Sequence, residues 1–144
     1  MNVVLVSGGA GFIGSHVVDH LIDEGHEVIV IDSLLTGTLN YVSDKAIFEK
    51  LDVQNKEELE NIFKKKQIDY VIHEAAIINT NILEENPSND VGVSVLGTIN
   101  LIQCCVKYKI KKMIFASSVA VYGTPDQAHL PISENDPLKP IYSY

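Results

Sequence analysis

The 144-residue sequence contains no arginine, so all 11 of its basic residues are lysines, against 19 acidic residues. The resulting net charge of −8 argues against nucleic-acid binding, because affinity for a phosphate backbone depends on clustered lysine and arginine. The one basic run, Lys64-Lys65-Lys66, closes a predicted helix that opens with Glu57 and Glu58. That arrangement is the one a helix dipole favours. We therefore expect no nucleic-acid partner.

Cysteine is also scarce, since only the adjacent Cys104 and Cys105 are present. Neighbouring cysteines do not make a secreted disulfide framework, so a reducing, cytoplasmic compartment is expected. Long hydrophobic runs are absent as well, and no segment approaches the ~18 apolar residues that a membrane helix needs. The short apolar run at the N-terminus lacks the basic segment that precedes the core of a signal peptide. Neither a membrane partner nor secretion is expected.

No metal-binding pattern stands out. His16 and His20 are four residues apart, but Val17 occupies the position where an H-E-x-x-H site needs its glutamate. No third ligand lies near them in the sequence. We therefore predict that the protein holds no metal.

What the sequence does contain is an alternation of apolar runs of strand length with segments of helical period. The composition, 46% hydrophobic and 21% charged, is typical of one globular domain. Strands are predicted at residues 3–6, 27–31, 47–51, 69–73 and 112–117. Right-handed crossovers between them give the order 3-2-1-4-5. The sequence thus predicts an α/β fold with a doubly wound parallel sheet, typical of dinucleotide-binding domains.

The ends of several elements are also marked. Gly25 supplies a C-cap for the first helix, and Asn55, with Glu58 three residues on, opens the second. A long helix is predicted to open at residues 86–88 and to carry one apolar stripe: Val95, Ile99, Ile102 and Val106. Prolines at 125, 131, 137 and 140 predict that residues 122–144 form an extended connection over the surface.

The turn between the first strand and the first helix is rich in glycine. Gly8, Gly11 and Gly14 follow a G-x-x-G-x-x-G spacing, which differs from the commoner G-x-G-x-x-G. Glycines here let the backbone turn tightly and approach a pyrophosphate, while the unpaired N–H groups of the helix N-terminus face the anion. Because a predicted strand precedes the turn and an amphipathic helix follows it, the spacing predicts a dinucleotide site.

An acidic residue, Asp32, closes the second strand 18 residues after Gly14. A carboxylate at that position accepts hydrogen bonds from the adenosine ribose hydroxyls and repels a 2′-phosphate, which favours NAD over NADP. The absence of arginine removes the usual partner of that phosphate. The alternative is that Asp32 only caps the end of a strand.

Three segments carry a resemblance to a known family. They are Ser7-Gly8-Gly9-Ala10-Gly11-Phe12-Ile13-Gly14-Ser15-His16, His73-Glu74-Ala75-Ala76 and Ser117-Ser118-Val119-Ala120-Val121-Tyr122-Gly123. The whole chain resembles the extended short-chain dehydrogenase/reductases that act on nucleotide sugars, above all the UDP-glucose 4-epimerases. The resemblance implies a Rossmann-like NAD-binding domain over residues 1–144. It also implies reversible oxidation at C4 of UDP-glucose, UDP-galactose or their N-acetyl forms.

The same resemblance implies individual roles. The backbone N–H groups of Phe12 and Ile13 would hold the pyrophosphate. Other cofactor contacts would come from Asp32 and Ser33 at the adenosine ribose, Asp52 and Val53 at the adenine, and Ala75 and Ala76 at the nicotinamide. Ser94 stands near the cofactor where the family usually has asparagine. Ser118 would be the active-site hydroxyl and Tyr144 the catalytic tyrosine of a Tyr-x-x-x-Lys motif, with Tyr142 as the rival assignment.

Other reactions of the family remain open. Dehydration, decarboxylation or reduction of a nucleotide sugar are alternatives, although related dehydratases usually carry an acid where this chain has Val119-Ala120. A non-catalytic NAD-binding module or an incomplete fragment is a further alternative. The lysine expected four residues after Tyr144, a sixth strand and the substrate domain would all follow the last residue. We therefore expect the 144 residues to be the N-terminal part of a longer protein and to be inactive by themselves. A homodimer is one possible assembly of the full-length form.

Overall fold

The sheet is the centre of the structure. The computed structural model describes residues 1–77, 87–124 and 130–141. Its strands are β1 (Val3–Ser7), β2 (Glu27–Asp32), β3 (Ile47–Lys50), β4 (Tyr70–His73) and β5 (Lys112–Phe115). All four neighbouring pairs are parallel, and the spatial order is β3-β2-β1-β4-β5. The predicted α/β class and strand order are confirmed, with strand bounds that differ from the prediction by at most two residues.

Helices connect the strands. The α-helices are α1 (Phe12–Asp23), α2 (Lys56–Lys65), α3 (Pro87–Asp90) and α4 (Thr98–Lys107), and π-helical turns over Val91–Gly97 join α3 to α4. Short 3₁₀ turns cover Leu39–Tyr41 and Val119–Tyr122. Residues 130–141 contain neither helix nor strand. Within the described ranges, no helix is long and apolar enough to cross a bilayer.

The helix ends follow local rules. Gly25 has φ +81° and donates its N–H to the Ile22 carbonyl at 2.9 Å, while the His26 N–H bonds to the Leu21 carbonyl at 3.0 Å. These bonds end α1 as a Schellman motif, which needs a left-handed residue. At the start of α2, the Asn55 side chain accepts from the Glu58 N–H at 3.3 Å. Both caps agree with the prediction from sequence.

The core lies on both faces of the sheet. Val4 and Val6 pack with Val18 of α1 on one face. Leu5 of β1 packs on the other face, in a cluster that includes Leu59 of α2 and Leu101 of α4. Because β1 is covered on both sides, its sequence is a continuous apolar run rather than an alternating one.

The orientation of α4 is not the one its apolar stripe suggests. Val95, Ile99, Ile102 and Val106 are each at least 44% exposed. The buried positions of this helical stretch are instead Val93, Gly97, Asn100, Leu101 and Cys104. A side chain at Gly97 would collide with Val53, so the small residue lets the helix approach the segment that follows β3. Close packing, rather than hydrophobicity alone, decides which face is buried.

Candidate cofactor-binding site

The predicted site residues gather at the carboxyl edge of the sheet. Ser7 at the end of β1 pairs in register with Ile31 of β2 and with His73 at the end of β4. Strands β1 to β3 form one half of the sheet, and the chain then crosses to form β4 and β5 on the other side of β1. The connections that follow the neighbouring strands β1 and β4 therefore leave a crevice between them. Open α/β sheets bind their ligands in such crevices.

The glycine turn folds back over the end of β1. Gly8 has φ +75°, and its carbonyl accepts the Gly11 N–H at 3.1 Å. A side chain on Gly14 would collide with that same carbonyl. These contacts bring the N-terminus of α1 close to the end of the strand.

Phe12 and Ile13 open α1 with their side chains 74% and 63% exposed. The N–H groups of a first helical turn have no partner within the helix, and they lie at the positive end of the helix dipole. The two residues can therefore offer backbone donors to an anion, and their contact with the pyrophosphate stays a prediction. Their exposed side chains do not contribute to the core of the described residues.

Asp32 lies directly beside the glycine turn. Its Oδ2 accepts the Ala10 N–H at 3.0 Å and its Oδ1 accepts the Leu34 N–H at 2.8 Å. A carboxylate has about four lone-pair positions, so each oxygen can accept one more bond. These two positions suit a pair of neighbouring ribose hydroxyls. The two observed bonds tie the glycine turn to the segment that follows β2.

The segment after Asp32 lies against the glycine turn. The Thr38 N–H donates to the Ala10 carbonyl at 3.0 Å, and Leu34 adopts φ +61°, a conformation that non-glycine residues rarely take. Ser33 is half-buried, and its hydroxyl accepts the Leu35 N–H at 3.3 Å. The ribose contact assigned to Ser33 stays a prediction, and the bond to Leu35 already uses part of the accepting capacity of its hydroxyl.

Asp52 and Val53 follow β3. The Asp52 carboxylate accepts from the Gln54 backbone N–H at 2.9 Å and from the Gln54 side-chain amide at 3.2 Å. Val53 is 4% exposed, and its carbonyl accepts from Asn100 at 3.1 Å. The side chain of Val53 belongs to the core, so any adenine contact from this residue must come from its backbone.

Ala75 and Ala76 follow β4, and Ala75 lies against the glycine turn. A Cβ on Gly8 would stand 2.7 Å from the Ala75 nitrogen, which shows how closely the two connections approach. The preceding Glu74 is partly buried, and this burial raises the pKa of its carboxyl group. Both alanines have small side chains and therefore leave room in the crevice.

Ser94 lies on the π-helical turns. Its hydroxyl donates to Asp90 Oδ1 at 2.8 Å, and its carbonyl accepts the Thr98 hydroxyl at 2.7 Å. Asp90 is 1% exposed, and its Oδ2 has no hydrogen-bond partner among the described residues. Because the Ser94 hydroxyl proton is committed to Asp90, Ser94 can offer a ligand only an acceptor from that group.

Ser118 caps the 3₁₀ turn Val119–Tyr122, where its Oγ accepts the Ala120 N–H at 3.1 Å. Tyr144 and Tyr142, the two assignments for the catalytic tyrosine, lie outside the described residues. Among the residues with described positions, no group of three His, Cys, Asp or Glu side chains is arranged to hold a metal ion.

The sequence argument did not assign three polar residues in this region. Thr98 and Asp90 flank Ser94 at spacings of four residues, and Asn100 bonds to the segment after β3. The regular spacing of residues 90, 94 and 98 is the signal that could have identified the first two, because such positions share one face of a helix. No sequence signal indicates the partners of Asn100, which lie 46 and 47 residues away.

Together these features define a dinucleotide-binding site of the doubly wound class. The backbone donors of the glycine turn, the paired acceptors of Asp32 and the absence of arginine fit NAD. The sequence matches the NAD dependent epimerase/dehydratase family over residues 4–144. The chain belongs to this family, whose cofactor is NAD, and both the predicted family and the predicted cofactor are confirmed at that level.

Several relatives are similar over nearly the whole chain. A protein of Methanocaldococcus jannaschii is 46% identical over 143 residues, which are 99% of this chain and 46% of that protein. The UDP-glucose 4-epimerase of Lactobacillus helveticus is 40% identical over 141 residues, 98% of this chain and 42% of that enzyme. The structure of Thermus thermophilus UDP-glucose 4-epimerase in complex with NAD superimposes with a TM-score of 0.89 at 38% identity, covering 96% of this chain and 44% of that one. The chain therefore spans less than half the length of these relatives.

Proposed function

We propose that these residues form the NAD-binding part of a nucleotide-sugar 4-epimerase that interconverts UDP-glucose and UDP-galactose, or their N-acetyl forms. The observation that carries the proposal is the position of Asp32, whose carboxylate is bonded to Ala10 within the glycine turn. This bond supports the proposal, because it holds an acid suited to the ribose beside backbone donors suited to the pyrophosphate. The names of the relatives supply the substrate class: one similar structure is an epimerase from Thermotoga maritima with UDP-glucose, 38% identical with a TM-score of 0.82 over 87% of this chain and 41% of that one.

Each part of the site has a task in this proposal. The backbone of Phe12 and Ile13 binds the pyrophosphate, and Asp32 with Ser33 binds the adenosine ribose. Asp52 and Val53 flank the adenine, while Ala75 and Ala76 border the nicotinamide and Ser94 lies close to the cofactor. Bound NAD supplies reversible hydride chemistry at C4 of the sugar.

Proton transfer falls to Tyr144 and Ser118. A tyrosine has a pKa near 10, so it becomes an effective base at neutral pH only when a nearby cation stabilises the phenolate. That cation is the lysine expected four residues after Tyr144, so the 144 residues alone are proposed to be inactive. Ser118 shares the proton of the sugar hydroxyl. Val119-Ala120 favour epimerisation over dehydration.

The proposal also covers location and assembly. The adjacent Cys104 and Cys105 are free thiols, which fits a reducing compartment and a cytoplasmic protein. Val95, Ile99, Ile102 and Val106 form an exposed apolar surface that suits a homodimer of the full-length protein. The substrate partner is a UDP-sugar.

Titration of NAD and NADP by calorimetry tests the cofactor assignment. The wild-type chain should prefer NAD by at least about tenfold, because Asp32 accepts from the ribose diol and repels a 2′-phosphate. In Asp32→Ala the ratio of the two affinities should approach one. Loosening of the glycine turn would weaken the binding of both cofactors together, so the ratio of the two affinities reports on the ribose contact alone. The control is Asp19→Ala, which changes an exposed acid on α1 and should leave the ratio of the two affinities unchanged. Equal affinities of the wild-type chain for NAD and NADP would contradict the assignment.

A further inference from the structure

The side chain of His73 is buried at the end of β4 and bonded at both ring nitrogens. Its Nδ1 lies 2.6 Å from the Ser7 hydroxyl, and its Nε2 lies 2.9 Å from the Thr98 hydroxyl. His73 is 1% exposed and Ser7 is fully buried. One imidazole therefore joins β1, β4 and α4.

The direction of these bonds follows from the hydroxyl of Thr98. That oxygen lies 2.7 Å from the Ser94 carbonyl, which can only accept, so the single Thr98 hydroxyl proton is directed there. Thr98 must then accept from His73, and the ring carries its proton on Nε2. Burial lowers the pKa of His73 to about 4, so the ring is neutral near pH 7 and its Nδ1 is bare. Ser7 consequently donates to Nδ1.

These bonds lie beneath the three segments that the proposed site uses. Ser7 directly precedes Gly8, and its carbonyl accepts the Glu74 N–H at 3.0 Å. Glu74 leads into Ala75, which lies against the glycine turn, and then into Ala76. At the other end of this series of hydrogen bonds, the Ser94 carbonyl accepts the hydrogen bond of the Thr98 hydroxyl. The glycine turn, the segment after β4 and the Ser94 turn are thus connected through one side chain.

We propose that His73, held as the Nε2–H tautomer, is a positioning residue that sets the spacing between the glycine turn, Ala75–Ala76 and Ser94. The inference rests on the proposed NAD function. His73 is too deeply buried to touch a ligand, so it acts only through Ser7 and Thr98. A ligand that contacts all three segments depends on this spacing, whereas a ligand held by the glycine turn and Asp32 alone does not.

Matched pairs of variants test the proposal by calorimetry with NAD and with ADP. Thr98→Val and Ser7→Ala remove a hydroxyl, whereas Thr98→Ser and Ser7→Thr keep it. The variants without the hydroxyl should bind NAD at least about tenfold more weakly and bind ADP within about twofold of the wild-type chain. The variants that keep the hydroxyl should match the wild-type chain for both ligands. A general loss of structure would weaken ADP and NAD together, and this result would overturn the positioning role.

The tautomer is tested separately by ¹⁵N–¹H NMR of the histidine side chains at neutral pH. The signals of His73 should show a protonated Nε2 and a bare Nδ1, and the opposite pattern would overturn the assignment. If the wild-type chain binds NAD and the variants without a hydroxyl retain that affinity, the positioning role fails while the proposed function stands. If the wild-type chain binds neither ligand, the proposed function fails and the positioning role fails with it. Should Ser7→Ala not fold, the half-buried Thr98 pair decides the question.

Discussion

The three spaced glycines of the turn are required for different reasons. Gly8 has a positive φ and lies against Ala75, so a side chain there would be strained and crowded. Gly14 cannot carry a side chain without a collision with the Gly8 carbonyl. Gly11 has φ −85° and ψ 175°, which any residue adopts, and an added Cβ would meet only the Gly8 oxygen, at 3.2 Å. Gly11 is therefore the glycine whose empty side-chain position is available to a ligand.

This difference predicts separate outcomes for two substitutions. Gly11→Val should abolish NAD binding and leave a folded protein, because the side chain occupies the space needed for the pyrophosphate. Gly14→Ala should instead destabilise the fold, since the collision is with backbone. Circular dichroism and thermal unfolding measure the fold, and calorimetry measures binding. Unfolding of Gly11→Val would show that this glycine serves packing and would remove its support for the binding site.

Residues of the site could be predicted from sequence where the relevant contacts are local. The turn glycines and Asp32 belong to one βαβ unit, and their spacing, together with the predicted strand and helix on either side of the turn, indicates the chemistry. The bonds of His73 to Ser7 and Thr98 span 66 and 25 residues, so they depend on which strands become neighbours. The same holds for Asn100. Their partners become visible only when the chain is folded.

At the scale of elements, strand order was predictable because every βαβ crossover has the same hand and every buried strand reads as an apolar run. The face of α4 was not predictable in the same way. The stripe of Val95, Ile99, Ile102 and Val106 is exposed, while the buried positions of this stretch include Gly97 and Asn100 beside the apolar Leu101 and Cys104. A periodicity of hydrophobic residues identifies a helix but does not distinguish the face that packs on the sheet from an apolar face that is exposed.

Asn100 should hold α4 to the segment after β3. Its Nδ2 donates to the carbonyls of Val53 and Gln54, both at 3.1 Å, and the residue is 3% exposed. Asn100→Ala removes both donors from buried carbonyls and should lower the free energy of unfolding by about 2–3 kcal/mol. Denaturant unfolding measures the change. Gln103→Ala, at an exposed position of the same helix, should change the free energy of unfolding by less than about 0.5 kcal/mol. An equal effect of the two variants would contradict the role of Asn100.

At the scale of the whole molecule, the described residues contain the NAD-binding half of the chemistry proposed here. The relatives are more than twice as long as the matched region, since 143 aligned residues make up 46% of one and 141 make up 42% of another. The proposed NAD site uses the sheet edge and the glycine turn, which belong to the described residues. Sugar oxidation also requires a base and a surface that holds the sugar, so the binding of NAD and the turnover of the sugar should be separable.

The 144-residue chain should show no measurable 4-epimerase activity. A version extended through a lysine four residues after Tyr144, and through the remaining length of the relatives, should interconvert UDP-glucose and UDP-galactose or their N-acetyl forms. In the proposed mechanism the lysine would stabilise the phenolate, and the added domain would hold C4 within the ~3–3.5 Å that hydride transfer requires. A coupled assay for UDP-galactose measures turnover in both proteins, and activity of the 144-residue chain would refute the requirement for the added lysine and domain.

The same extended protein distinguishes the two tyrosines. Tyr144→Phe should remove nearly all turnover while NAD binding stays close to normal, because only the hydroxyl that takes the proton is lost. Tyr142→Phe, the matched control two residues away, should change turnover little. The pair keeps the size of the side chain and changes a single oxygen atom in each variant. A reversed pair of phenotypes would transfer the role of base to Tyr142, and two equally active variants would exclude both tyrosines from the chemistry.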